Sequence, residues 1–136
     1  MSYAVSAALQ KGIFGVLSAD PVIASSVGSA IFDATPAGSV PGLYISLGPE
    51  EALARNDKSC DGALHRFVVS VVSDAAGFQT AKEVAVAVSD ALHGAIPALE
   101  RGRIVSLNFE RAKASRIGPD EKRQIDLRFA ARVEDN

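Results

Sequence analysis

The residues best suited to chemistry lie in one run, Asn56-Asp-Lys-Ser-Cys-Asp-Gly-Ala-Leu-His65. It offers a nucleophile (Ser59 or Cys60), two acids (Asp57 and Asp61) and a base (His65). Catalysis would need those groups held at hydrogen-bond distance on a rigid support. The run instead reads as a polar loop entering a strand. Asp61-Gly62 is its turn and His65 an ordinary strand residue. Glycine motifs that cradle phosphate are missing, since neither G-x-G-x-x-G nor a Walker-type G-K-[ST] occurs. Ser25, Ser26 and Ser39 lack the G-x-S-x-G context of an activated serine. His93 sits in a final helical turn, where a cation would complement the helix dipole. Glu50-Glu51 and Asp120-Glu121 are adjacent acids in polar turns, without the apolar pocket that raises a carboxyl pKa. With 1 Cys and 2 His, the chain cannot close an internal disulfide and is a poor metal host. No catalytic, cofactor or metal site is expected.

The composition narrows the class further. At 136 residues, 48% hydrophobic and 22% charged, the chain reads as one ordered domain, residues 1–136. Such a domain buries roughly two-thirds of its unfolded surface, enough for a core without staples. No run approaches the length of a membrane span, and the N-terminus lacks a signal peptide's basic start. A soluble protein of a reducing compartment is expected. The net charge of −2 argues against a generic nucleic-acid binder. That charge is unevenly spread. Residues 1–100 carry 5 basic and 10 acidic groups, and residues 101–136 carry 9 and 6. The two parts therefore differ in sign, which favours self-association or docking on charged neighbours.

The elements that position these groups follow from periodicity. Val5, Leu9, Ile13, Val16 and Leu17 make one stripe of a helix over Tyr3 to Leu17, with Ser2 as its cap. Asp20-Pro21 stops it and starts a short second helix ending at Gly28. Ala30–Asp33 and Leu43–Leu47 read as brief strands around the Pro- and Gly-bearing segment Thr35–Gly42. Pro49–Gly62 shows no apolar period and reads as a long polar loop. Leu64–Ser73 is the strongest strand, with Phe67, Val69 and Val71 on its core face. Phe78–Leu92 is the main helix, with Ala81, Val84, Ala85, Val88 and Leu92 inward and Thr80-Ala-Lys-Glu83 as a capping box. Gly94 ends it in the left-handed conformation.

A terminal hairpin follows. It places Val105, Leu107 and Phe109 on one face and Ile125, Leu127, Phe129, Ala131 and Val133 on the matching face. Centring its turn on Pro119 pairs Phe109 with Phe129, Leu107 with Ala131, and Glu110 with Arg128. The order predicts an α+β fold, an antiparallel-rich sheet of four to five strands packed by two main helices.

The ordered string of features is similar to the tail-terminator (tail-completion) proteins of long-tailed phages and phage-like gene transfer agents. The likeness runs through Leu17-Ser-Ala-Asp-Pro-Val, Val27-Gly, Ile31-Phe-Asp-Ala-Thr-Pro and Leu43-Tyr-Ile-Ser-Leu-Gly48. It continues through Asp57-Lys-Ser, Asp61-Gly, His65-Arg-Phe, Gly77, Ala91-Leu-His93 and Leu107-Asn-Phe-Glu110. The chain departs from that pattern at Val72, where many relatives carry Trp, and at Cys60, which replaces a small polar residue.

The resemblance implies a non-enzymatic virion protein. It implies a ring, hexameric by preference, closing the head-proximal end of the tail tube and stopping its polymerisation. Its partners would be further copies of itself, the tail tube protein and the head–tail connector (stopper), with DNA passing the lumen unread and no membrane. Its place would be the tail neck, reached from the host cytoplasm during assembly. Another neck protein, such as a stopper or connector component, is the alternative. A small α+β enzyme built on the Asp57–His65 cluster is a more distant one. The expected contact residues are Glu50, Glu51, Arg55, Asp57, Lys58 and Asp61 in the polar segment. At the hairpin tip they are Lys113, Arg116, Lys122 and Arg123. The basic tip could touch DNA phosphate, but the lack of interleaved aromatics favours an acidic protein surface.

Overall fold

The computed structural model describes residues 3–33, 40–55 and 62–135. The chain runs α1 (Ser6–Ala19), α2 (Pro21–Val27), β1 (Ile31–Phe32), β2 (Leu43–Ala54), β3 (Gly62–Ser73), α3 (Gln79–Leu92), β4 (Arg103–Ile117) and β5 (Lys122–Glu134). The strands form one sheet in the order β1-β2-β3-β5-β4, antiparallel except for β1 on β2. This is the α+β architecture anticipated from element order.

Helix boundaries have identifiable causes. Asp20 caps α2, its Oδ1 accepting from the Val22 and Ile23 amides at 3.0 and 3.1 Å, and Pro21 supplies the first turn. α1 begins at Ser6, later than expected, and its N-cap is Val5 with no side-chain bond, so the expected Ser2 cap, outside the described residues, is not the one used. The capping box at Thr80 does not form. Phe78 is the N-cap with no side-chain bond, because Gly77 at φ 76° lets α3 begin two residues ahead of the box. The inward stripe of α3 is as expected: Ala81, Val84, Ala85, Val88 and Leu92 are all buried.

The core joins α1, α3 and one face of the sheet in a single cluster. Leu9, Ile13 and Leu17 enter it from α1, and Phe67, Val69 and Val71 from β3. A second, small cluster forms around Ala30, Tyr44 and Val72. Val71 and Val72 fall in different clusters because adjacent strand residues point to opposite faces.

Three bulges correct the expected pattern. The first lies between Leu47 and Glu50, after which β2 resumes pairing with β3 through Glu50↔Phe67, Glu51↔Arg66, Ala52↔His65, Leu53↔Leu64 and Ala54↔Ala63. Pro49–Ala54 is therefore strand, not loop. The second lies between Ile104 and Ser106 and turns Val105 outward, while Ile104 takes the core position opposite Val133. The third lies between Phe109 and Arg111. Phe109↔Phe129 and Leu107↔Ala131 stand as expected, but Arg111, not Glu110, opposes Arg128 in the ladder. Glu110 still bonds Arg128 at 3.1 Å and also Arg66 at 3.2 Å. Phe109 itself stays 37% exposed, against 0% for Phe129, because β4 is the sheet's edge.

The chain end is tied back to the turn before β4. Arg101 donates to Asp135 from Nε at 2.9 Å and Nη2 at 3.0 Å. That hydrogen bonding, with charge attraction added, holds the Asp135 carboxyl below its ordinary range. Because the folded pKa is depressed, the contribution is present above the ordinary carboxylate pKa. It is lost as pH falls through the lowered value. Arg101→Ala is expected to move the Asp135 pKa upward, read by NMR titration of the carboxyl carbon.

Candidate functional site

The first bulge decides the fate of the acid–base residues. It turns Glu50 to the helix-covered face and leaves Glu51 on the other, beside Arg66. The adjacent acids are thus separated, not paired. Glu50 accepts the Ser6 hydroxyl at 2.9 and 3.1 Å on its two oxygens. Its Oε2 lies 3.4 Å from Nδ1 of His65. His65 is wholly buried, its ring stacked on Tyr3 at 6.1 Å between centroids, and neither ring nitrogen has a hydrogen-bond partner. Asp57, Lys58, Ser59, Cys60 and Asp61 lie outside the described residues. No group of three metal-ligating side chains occurs among the described residues.

A buried imidazole without hydrogen bonds costs stability, about 1–3 kcal/mol for an unsatisfied polar group. His65→Leu keeps most of the volume and removes the orphan N–H, so its stability is expected to equal or exceed that of the parent. His65→Ala leaves a cavity and is expected to lose about 2 kcal/mol or more. Urea midpoints compare the three proteins. Strong destabilisation by Leu would instead mean that the 3.4 Å contact with Glu50 stabilises the fold.

His93 departs from its expected role as a dipole-facing cation. Its Nδ1 accepts the Phe109 amide at 3.1 Å, so that nitrogen carries no proton in this arrangement. The Gly94 amide donates to the Leu107 carbonyl at 2.7 Å. Together they anchor the C-terminus of α3 on β4 beside its third bulge. The imidazole satisfies an amide there.

The remaining charged candidates fall into two groups at separate places on the sheet. Glu51 and Arg55 lie on and just after β2, and Arg55 donates to the Ala54 carbonyl at 2.9 Å. At the hairpin, Arg116 opposes Arg123 and Ile117 opposes Lys122. Lys113 and Arg116 are exposed. Arg123 is committed inside the subunit. Its guanidinium lies 5.5 Å from the Phe78 ring centroid, and Nη1 donates to the Glu121 carbonyl.

Two apolar features escaped the sequence reading. A groove of about 360 Å³ runs between α3 and β4, lined in part by Val86, Phe109, Ala112 and Ala114. A cleft of about 750 Å³ opens beside α1 and β1, with Tyr3, Phe14 and Phe32 in its wall. The alternation Arg111-Ala-Lys-Ala114 carried a signal for the first: small residues on one face, cations on the other. No helix among the described residues is long and apolar enough to cross a membrane.

Comparison with known proteins agrees with this geometry. A family model described as "Tail completion protein gp17" matches residues 11–134. A solved structure described as "Virion of native gene transfer agent (GTA) particle" contains a chain that is 55% identical, with a TM-score of 0.92. The match covers 98% of this chain and 99% of that one. Among curated proteins nothing matches.

Proposed function

Since the chain belongs to the tail completion protein gp17 family, we propose that it forms a ring, hexameric by preference, closing the head-proximal end of a tail tube. There it ends tube polymerisation and presents the surface on which the head connector docks, while DNA passes through the lumen unread. Its place is the tail neck of a phage or phage-like particle, and its role is structural, not enzymatic. The observation carrying this reading is the full-length likeness to a chain from a gene transfer agent virion. Two features of the subunit support it. The net charges of −5 on residues 1–100 and +3 on residues 101–136, from 5 basic and 10 acidic groups against 9 and 6, give a source of unlike ring faces, which a terminator needs. The imidazole of the Asp57–His65 cluster is sealed in the core, where no substrate reaches it.

Particles assembled without this protein test the reading by electron microscopy. A terminator's absence is expected to give tubes of unregulated length, unattached to heads. Tubes of normal length that fail only to join heads would favour a stopper or connector role. Normal tails on heads would overturn both. The basic tip is tested by Lys113→Glu with Arg116→Glu, both exposed in the subunit. Joined particles are expected to fall about tenfold, with the melting temperature shifted by no more than about 2 °C, as for surface changes generally.

A further inference from the structure

Among the described residues, the two lateral edges of the sheet both have stretches with no strand beside them, and they are unlike. Among the described residues no strand pairs with the outer edge of β4, and His93 and Gly94 bond only its Phe109 amide and Leu107 carbonyl, which leaves Arg111–Ile117 uncovered. On the far side β1 covers only Ile45 and Ser46, so Leu47–Ala54 has no outer neighbour among the described residues. Open edges of this length invite strand addition unless something covers them. Resting on the ring reading above, we infer that the two edges cover one another. The β4 edge and α3/β4 groove of one copy receive the α1/β1–β2 edge of the next.

Shape supports the match. Small side chains at Ala112 and Ala114 leave the groove open, and Val86 stands 59% exposed on its rim. The opposite edge presents Phe14, 42% exposed on α1. Charge supports it as well. Glu110 on the β4 side is already bound by Arg66 and Arg128, leaving Lys82, Arg111 and Lys113 without an ion pair among the described residues. Lys11 on the α1 side is bound by Glu100, leaving Asp33 and Glu51 as the acids presented there. Apart from Arg55 at the end of β2, the residual charges are therefore opposite in sign across the contact.

Strand direction completes the argument. From β2 through β3 and β5 to β4 the direction reverses at each step, so β2 and β4 run opposite ways. Rotation of one copy onto the next about a ring axis therefore brings β4 beside β2 in antiparallel sense. Pairing β4 with β4 would set Arg111, Lys113 and Arg116 against their own copies, which like charge disfavours. A contact between unlike edges is heterologous, the kind that builds a ring when its rotation closes.

Zero-length carbodiimide coupling of intact particles, read by peptide mass spectrometry, tests this. Within one subunit Lys113 is three strand spacings from Glu51, about 14 Å, and offset by roughly 13 Å along the strands. It is four spacings, about 19 Å, from Asp33, which directly follows β1. A Lys113–Glu51 or Lys113–Asp33 bond can therefore form only between copies. Such a bond is expected. Its absence, while the same chain couples to other tail proteins, would overturn this contact and leave the terminator role standing. Absence of the chain from tails would overturn both. Val86→Asp alters an exposed position and is expected to keep the parent's melting temperature, whereas Phe14→Asp, at a side chain 42% exposed, is expected to lower it by a few degrees and leave the subunit folded. Each is expected to lower incorporation into particles at least tenfold. Normal incorporation of either would also overturn the contact.

Discussion

Phe129→Ala is expected to lower the free energy of unfolding by about 3–5 kcal/mol. The ring is wholly buried and lies between Phe67, stacked at 5.7 Å, and Phe109, edge-on at 5.8 Å. Removing it costs the transfer of an aromatic side chain and leaves a cavity between two strands that pair with β5 on either side. At roughly 4 °C per kcal/mol for a domain of this size, the melting temperature is expected to fall by more than 10 °C. Phe109→Ala is the control. Its ring is already 37% exposed, so the loss is expected to be about 1–2 kcal/mol. Equal losses at the two positions would mean that the edge ring is covered in the isolated subunit. A thermal melt of both variants, monitored by circular dichroism, separates these outcomes.

Those two phenylalanines also mark what a sequence can carry. Their pairing was legible because inward parity and turn position together restrict the register. The difference in their exposure was not, since it depends on which strand ends the sheet. Strand order is a tertiary property, and β5 enters between β3 and β4 although β4 precedes it in the chain. The inward faces of the helices were legible, though not their starts, because Leu9, Ile13 and Leu17, or Ala81, Val84, Ala85 and Val88, repeat their face without interruption. Bulges break the strand rule in the same way that an inserted residue would. Inward positions on β4 run Ile104, Leu107, Phe109, Ala112 and Ala114, so a strict period of two misplaces Val105 and hides the groove.

Chemistry was harder to place than fold. His65 lay correctly on a strand, but its burial against Tyr3 and Glu50 depends on α1 and on the shift at Gly48-Pro49. His93 lay correctly at a helix end. Its partner, the Phe109 amide, comes from a bulge sixteen residues later. No local pattern announces either contact. Arg123 reads as one more surface cation until the Phe78 ring beside it is seen.

The polar stretch after Gly48 yields the second large effect. Replacing all of Pro49–Gly62 with a short Gly-Ser turn is expected to unfold the subunit. Five register positions between β2 and β3 vanish with it, from Glu50↔Phe67 to Ala54↔Ala63. Ladder hydrogen bonds contribute about 0.5–1.5 kcal/mol each, so the loss is on the order of 5 kcal/mol. Typical domain stability is only about 5–15 kcal/mol. The change also removes Glu50 from beside His65, leaving the buried imidazole farther from any polar group. A replacement confined to residues 56–61 keeps β2 whole and keeps the Arg55 amide bonded to the Gly62 carbonyl at 2.9 Å. That variant is expected to fold with nearly the parent's denaturation midpoint. Any defect it shows in tail completion then belongs to Asp57, Lys58 and Asp61 as assembly contacts, because the strand carrying Glu50 and Glu51 is retained. Normal tails from the second variant would remove those three residues from the interface. A folded, cooperative first variant would mean that β2 does not need its second half, against the pairing observed across all of Glu50–Ala54.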